Sequence, residues 1–185
     1  DEFYRKHKLE NEDILLALIP GSRQQEIDKH LHLYYSAAQK IKAEVQRLKI
    51  IVTKASGVSL SILDDVLVED EDIYGAMKYS KAAITTSGTA SLECAMLDTP
   101  EVVCYKLSTL SYAITSLMNK SPFISMVNLI ANREIVPEMV QRKASINNIV
   151  ENILPLLSDT EKRKTMLSGM SQVRRSIAVS YTYLT

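Results

Sequence analysis

Short, solid apolar runs alternate along this chain with longer stretches in which apolar residues return every three or four positions. Residues 14–19 are continuously apolar and stop at Pro20-Gly21, the pattern of a buried strand closed by a turn. Ile27, Leu31, Tyr34, Ala38, Ile41, Val45 and Leu48 then line one face of a helix of about six turns. Three more short runs, 49–53, 66–68 and 82–86, read as strands, with a helix over 72–79 between the last two. A helix over 89–97 follows, then Pro100 and a fifth strand at 102–105. Beyond Tyr105 the pattern is mostly helical, with apolar stretches at 107–118 and 123–130 and two terminal helices near 146–157 and 160–177.

Apolar, β-branched strands separated by helices imply a parallel sheet covered on both faces, so the expected fold is α/β, a Rossmann-like doubly wound parallel sheet with C-terminal helices. Residues 1–13 are charged and polar and read as a linker or lead-in helix. Residues 14–145 form the α/β domain, and residues 146–185 are helices packed on it or extending from it. The connection 54–65 has barely room for a right-handed crossover with one turn of helix.

Composition narrows the function. With 185 residues, 46% hydrophobic and 24% charged, the chain is long and apolar enough for one ordinary domain with a real core. Lys and Arg are scattered and the formal net charge is zero, which argues against a nucleic-acid partner. Cys94 and Cys104 each sit inside an apolar run, the usage of reduced buried thiols rather than of a disulfide or metal site. No signal peptide is expected, and no apolar stretch approaches the roughly 20 residues that span a bilayer. The start at Asp1, without Met, reads as that of a piece of a longer chain.

Two strand-to-helix junctions carry the candidate chemistry. In Pro20-Gly21-Ser22-Arg23 the glycine allows close approach, Ser22 offers a hydroxyl, and free N–H groups at the helix start favour an anion. Arg23 adds a fork of donors suited to phosphate, unless it is an ordinary surface arginine on an ordinary turn. In the second junction, 85–93, Ser87, Gly88 and Thr89 open a small, apolar helix in which Glu93 lies one turn inside. A carboxylate buried there needs partners, and the two hydroxyls of a ribose or a nearby lysine would each serve. Asn128 follows an apolar run, where it reads as ending a strand or capping the next helix. Arg133-Glu134 reads equally as an exposed pair. His30 and His32 point to different faces of the first long helix and do not make a metal site. The acidic residues 64–65 and 69–72 read as solvated loop, with a base pocket as the sharper alternative.

The strings LIPGSRQQEI, SGTASLECAMLDTP and VNLIANREIVPEMVQ, in this order over residues 18–141, resemble the carboxyl-terminal half of the bacterial lipid-A-disaccharide synthases. The resemblance implies one half of a two-domain, GT-B-type inverting glycosyltransferase that moves 2,3-diacylglucosamine from its UDP derivative to 2,3-diacylglucosamine 1-phosphate. It implies no metal and no cofactor. Gly21, Ser22 and Arg23 would face the diphosphate, Ser87, Gly88 and Thr89 would form a second phosphate-facing turn, and Glu93 would clamp the ribose. Asn128 would face the sugar or phosphate, with Glu134 and Gln141 as further members of the site. The catalytic base would come from the absent amino-terminal half, which is the implied partner together with the acylated acceptor. The resemblance also implies a cytoplasmic enzyme peripheral to the inner membrane, and leaves a homodimer open. The segment 54–65 is shorter than the family pattern. Two other readings compete: a different UDP-sugar enzyme, such as a UDP-N-acetylglucosamine 2-epimerase or the peptidoglycan N-acetylglucosaminyltransferase, and a non-catalytic nucleotide-binding domain.

Overall fold

The computed structural model describes residues 2–61, 63–106 and 121–182. A six-stranded, wholly parallel sheet runs in the order β3-β2-β1-β4-β5-β6, with β1 Ile14–Ile19, β2 Leu48–Thr53, β3 Leu67–Glu69, β4 Ala82–Thr85, β5 Glu101–Tyr105 and β6 Glu138–Val140. The order reverses between β1 and β4, which pair with Leu16 opposite Ala82 and Ile19 opposite Thr85. In a doubly wound sheet this reversal opens a crevice at the carboxyl ends of the two strands, where ligands bind.

Alternation along the strands sorts the core into two layers. Leu16, Leu18, Ile50 and Ile84 face a cluster with α2 (Gln24–Glu44) and α6 (Ile146–Ile153). Leu15, Ala17, Ile19 and Ile51 face the other way, onto α1 (Glu2–Lys6), α3 (Ile73–Tyr79) and α4 (Thr89–Met96). A short helix α5 (Met126–Ala131) and the long α7 (Glu161–Thr182) pack with α4, and Met166, Met170 and Val173 of α7 are buried. Among the described residues no helix is long and apolar enough to cross a membrane.

Four features differ from the sequence reading. The strand β6 lies in a region read as mostly helical; three residues are too few for periodicity to register, and pairing with β5, Cys104 opposite Met139, makes the strand. The terminal helix expected at 146–157 stops at Ile153 and tightens into a 3-10 turn, Leu154–Leu156, around Pro155. The crossover 54–66 holds no helix among its described residues. It is tied to the side of α2 instead: Gln24 bonds both the N–H (2.8 Å) and the carbonyl (3.0 Å) of Ser59, Tyr35 donates to the Asp64 carbonyl, and Lys42 pairs with Asp65. Glu69, expected in solvated loop, is fully buried; it accepts from Lys6, from His7 and from the N–H groups of Glu71 and Asp72. Burial opposes its ionisation, but these donors outweigh burial and hold its carboxyl down at about 2. The lead-in segment is therefore a docked helix, α1, anchored by Phe3 stacked on Tyr79 and by this buried carboxylate. The helix expected at 107–118 lies outside the described residues.

Candidate functional site

Both junctions singled out from the sequence leave the carboxyl edge of the sheet at the β1/β4 reversal, tied at their base by the Thr86 N–H donating to the Ile19 carbonyl (3.1 Å). Gly21 has φ +126°, a conformation that favours glycine, and a Cβ placed there would fall 2.6 Å from Glu26 Oε2. Ser22 and Arg23 are exposed, and Arg23 is the uncapped N-cap of α2. Glu26, which the sequence reading passed over, reaches back: its carboxylate accepts from the Ser22 N–H at 3.2 Å and lies 3.6 Å from the Arg23 guanidinium. An acid at the third helical position after a turn is the signal that would have found it. The anion position of this turn is thus filled by the chain's own carboxylate, with Arg23 extended into solvent beside it.

The second turn is open. Gly88 has φ +134°, nothing lies within 4 Å of where its Cβ would be, and it caps α4 without any side-chain hydrogen bond. The first N–H groups of α4 therefore face outward with their partial positive charge uncompensated. Thr89 is exposed, and Ser87 leans the other way, donating to the Ile124 carbonyl at 3.0 Å. Glu93 is half-buried rather than buried, and among the described residues its carboxylate has no ion pair or hydrogen bond, while its main-chain carbonyl accepts from the Leu97 N–H. No lysine among the described residues pairs with it.

Asn128 corrects the expectation of a ligand-facing side chain. It is fully buried, and all its polar capacity goes to the chain: Oδ1 accepts from the N–H groups of Ile135 (2.7 Å) and Val136 (3.0 Å), while Nδ2 donates to the Val136 carbonyl and to Glu138 Oε1, both at 2.8 Å. Glu138 in turn accepts from the N–H groups of Ile124 and Ser125. Asn128 and Glu138 thus shape the segment on which Ser87 leans. Glu134 is exposed in the connection that enters β6, and Arg133 donates to Gln172 rather than pairing with it. Gln141 is half-buried, at φ +53°, where the chain leaves β6 at the carboxyl edge. Structure therefore gathers Gly21, Ser22, Arg23, Ser87, Gly88 and Thr89 around the reversal, with Glu93 one turn behind, Gln141 further along the same edge, and neither Asn128 nor Glu134 presented there.

Two buried groups of α2 fix this edge from below. The Tyr34 hydroxyl, wholly enclosed, lies 3.0 Å from the Thr85 carbonyl and 2.6 Å from the Cys104 carbonyl, so one phenol holds the ends of β4 and β5. His30 does the same for the ends of β1 and β5, through the Pro20 carbonyl and the Lys106 N–H. Beneath α4, Glu101 is fully buried and accepts from Thr85 Oγ1 (2.6 Å) and Ser91 Oγ (2.8 Å). Burial pushes its carboxyl up to about 8, against those two hydrogen bonds and with help from the charge of Glu138. A groove of about 450 Å³ beside the crossover is lined by Val52, Lys54, Leu60, Val66 and Val68 among others, and neither turn contributes to it.

Comparison with known proteins agrees with this geometry. The family model described as lipid-A-disaccharide synthetase matches residues 1–182. The lipid-A-disaccharide synthase of Solibacter usitatus is 32% identical over 184 residues, covering 96% of this chain and 48% of that protein. The enzyme of the same name from Myxococcus xanthus is 34% identical over 170 residues, covering 86% of this chain and 44% of its own length. The chain thus spans about half the length of the curated relatives it matches. Among solved structures, WaaG, a glycosyltransferase involved in lipopolysaccharide biosynthesis, superposes with a TM-score of 0.59 at 11% identity, over 94% of this chain and 45% of that one. The spinosyn rhamnosyltransferase SpnG complexed with thymidine diphosphate gives 0.58 at 10% identity, over 95% and 46%. At such identities these likenesses speak for the fold alone, that of one half of a glycosyltransferase.

Proposed function

The chain belongs to the lipid-A-disaccharide synthetase family, and from that premise we propose that it is the half that binds the nucleotide-sugar donor, UDP-2,3-diacylglucosamine. The whole enzyme would pass the diacylglucosamine to 2,3-diacylglucosamine 1-phosphate with inversion and release UDP. One observation carries the reading: two glycine turns, at Gly21 and Gly88, open side by side at the sheet reversal, each at the start of a helix whose first N–H groups carry no side-chain cap. In this reading the diphosphate displaces the Glu26 carboxylate from the Ser22 N–H, Arg23 swings onto the phosphate oxygens, and the α4 N-terminus stabilises the departing UDP. The resemblance supplies uridine as the base. The acceptor's base and the closure that excludes water would come from the amino-terminal half, which with the acylated acceptor and the inner face of the cytoplasmic membrane completes the proposed set of partners.

Calorimetric titration with UDP and ADP tests this directly. UDP should bind more tightly, and equal affinities would count against a uridine-donor site. Arg23→Ala should weaken UDP by about 1.5–3 kcal/mol, the worth of a charge-assisted phosphate contact, and leave the weak binding of uridine unchanged. Parallel losses for UDP and uridine would show instead that Arg23 shapes the turn.

Glu93 gives a second test within the same site. A carboxylate without a side-chain partner among the described residues, one turn behind Gly88, is placed to accept from both hydroxyls of a ribose. Wild type should therefore prefer UDP over 2′-deoxy-UDP by roughly tenfold, and Glu93→Gln should shrink that preference. Indifference of the wild type to the 2′-hydroxyl would take Glu93 out of the ribose role.

A further inference from the structure

His30 lies on the buried stripe of α2, one turn after Glu26, with its ring against Tyr34 (centroids 5.7 Å apart) and Tyr105 (5.4 Å). Nδ1 is 3.3 Å from the Pro20 carbonyl oxygen, and Nε2 is 3.1 Å from the Lys106 nitrogen. A carbonyl only accepts and a main-chain N–H only donates, so these partners fix the tautomer: Nδ1 carries the proton and Nε2 offers its lone pair. The charged and titratable groups around the ring are Glu26, Lys29 and Tyr34 on α2, Tyr105 and Lys106 at the end of β5, and Arg23 beside Tyr105. Burial holds the imidazole below the ordinary histidine range, Lys29 adds to this, and the Pro20 bond and Glu26 oppose it.

We infer that neutral His30 is a positioning residue for the donor site, holding the diphosphate turn of β1 at a set distance from the end of β5, and that protonating its ring loosens that tie and weakens diphosphate binding. The inference rests on the proposal that the 20–23 turn receives a diphosphate. His30 touches no ligand itself. Its protonated Nε2 can no longer accept, so a donor on a buried ring would confront the Lys106 N–H, and one side of the edge must move.

The test is UDP affinity of the 185-residue chain from about pH 7.5 to about pH 5, for wild type, His30→Gln and His30→Leu. The Gln carboxamide keeps an acceptor for Lys106 and does not titrate; Leu keeps neither bond. The ratio of wild-type to His30→Gln affinity cancels the titration of UDP's own terminal phosphate, which falls near pH 6, and that of Glu26. It should fall by roughly 3- to 10-fold on acidification, the worth of one buried hydrogen bond. His30→Leu should bind weakly with a flat ratio to His30→Gln. A constant ratio overturns the inference, and so does a ratio that rises in acid, since the ring's charge would then be attracting the anion directly. Where a variant unfolds in acid, imidazole titration of the wild type by NMR gives the same answer: reciprocity requires bound UDP to lower the His30 pKa, and an unchanged or raised value overturns the proposal. Absence of UDP binding at every pH defeats the donor reading itself, and this inference with it.

Discussion

Glu101→Gln should abolish a loss of stability that builds up as pH rises from about 4.5 to about 8. The Glu101 carboxyl is enclosed under α4 and lies at about 8, against an ordinary 4.5 in the unfolded chain. The folded state therefore holds this proton more tightly than the unfolded state. Its contribution is complete below about pH 4.5, declines as the unfolded carboxyl ionises, and is gone once pH has risen through about 8. By linkage the difference is on the order of 5 kcal/mol across that window. Gln is isosteric with the protonated acid, and the hydroxyls of Thr85 and Ser91 can each donate or accept to suit it. His30, whose folded value is depressed, acts in the opposite sense below its ordinary value of 6.5, so the informative quantity is the difference between wild type and variant. Urea unfolding at intervals from about pH 5 to about pH 9 should show the two curves moving apart up to about pH 8, with the gap constant beyond it. Parallel curves would mean that Glu101 is ionised in the folded protein at neutral pH.

Asn128→Ala should cost about 3–5 kcal/mol of stability, because it strips partners from the Ile135 and Val136 N–H groups, the Val136 carbonyl and Glu138 at once, and a buried polar group left unpaired costs about 1–3 kcal/mol. The protein that remains folded at low temperature should still bind UDP, since Asn128 touches neither turn and reaches Ser87 only at one remove, through Glu138 and Ile124. A variant of unchanged stability that fails to bind a UDP-sugar would restore the ligand-facing role expected from the family string. Thermal unfolding and UDP titration of the same preparation separate the two outcomes.

The contrast between these residues shows what the sequence could reveal. Gly21 and Gly88 were legible because only a glycine turn between a solid apolar run and a periodic one explains the pattern, and both do adopt positive φ. The strand order was legible only as a class, since nothing local states that β1, first in the chain, lies in the interior of the sheet. Asn128 was misplaced because a family string conserves scaffolding and ligand contacts alike, and only the hydrogen-bond partners tell them apart. Glu101, Glu138 and His30 were invisible as a set: each is an ordinary polar letter whose meaning comes from groups distant in sequence, such as Lys106 for His30 and Ser125 for Glu138. His30 did leave a trace, three residues after Ile27 and four before Tyr34, on a stripe that is otherwise apolar. The crossover 54–66 escaped because it is made by bonds to α2 rather than by any propensity of its own.

Apart from the side-chain bonds of Lys40 to Asn147 and Lys42 to Asp65, helix α2 holds its surroundings through their main chain. Gln24 holds the backbone of Ser59, His30 the backbone of Pro20 and Lys106, Tyr34 the carbonyls of Thr85 and Cys104, and Tyr35 the carbonyl of Asp64. Every residue but proline has both groups, so side-chain replacements other than proline at positions 59, 64, 85, 104 and 106 leave these bonds available. Replacement on the helix removes them. Tolerance to mutation is therefore distributed unevenly over one assembly: the loops and strand ends that form the crevice are free to drift and acquire new contacts, while the instruction that keeps them in place is written in four side chains on a single helix.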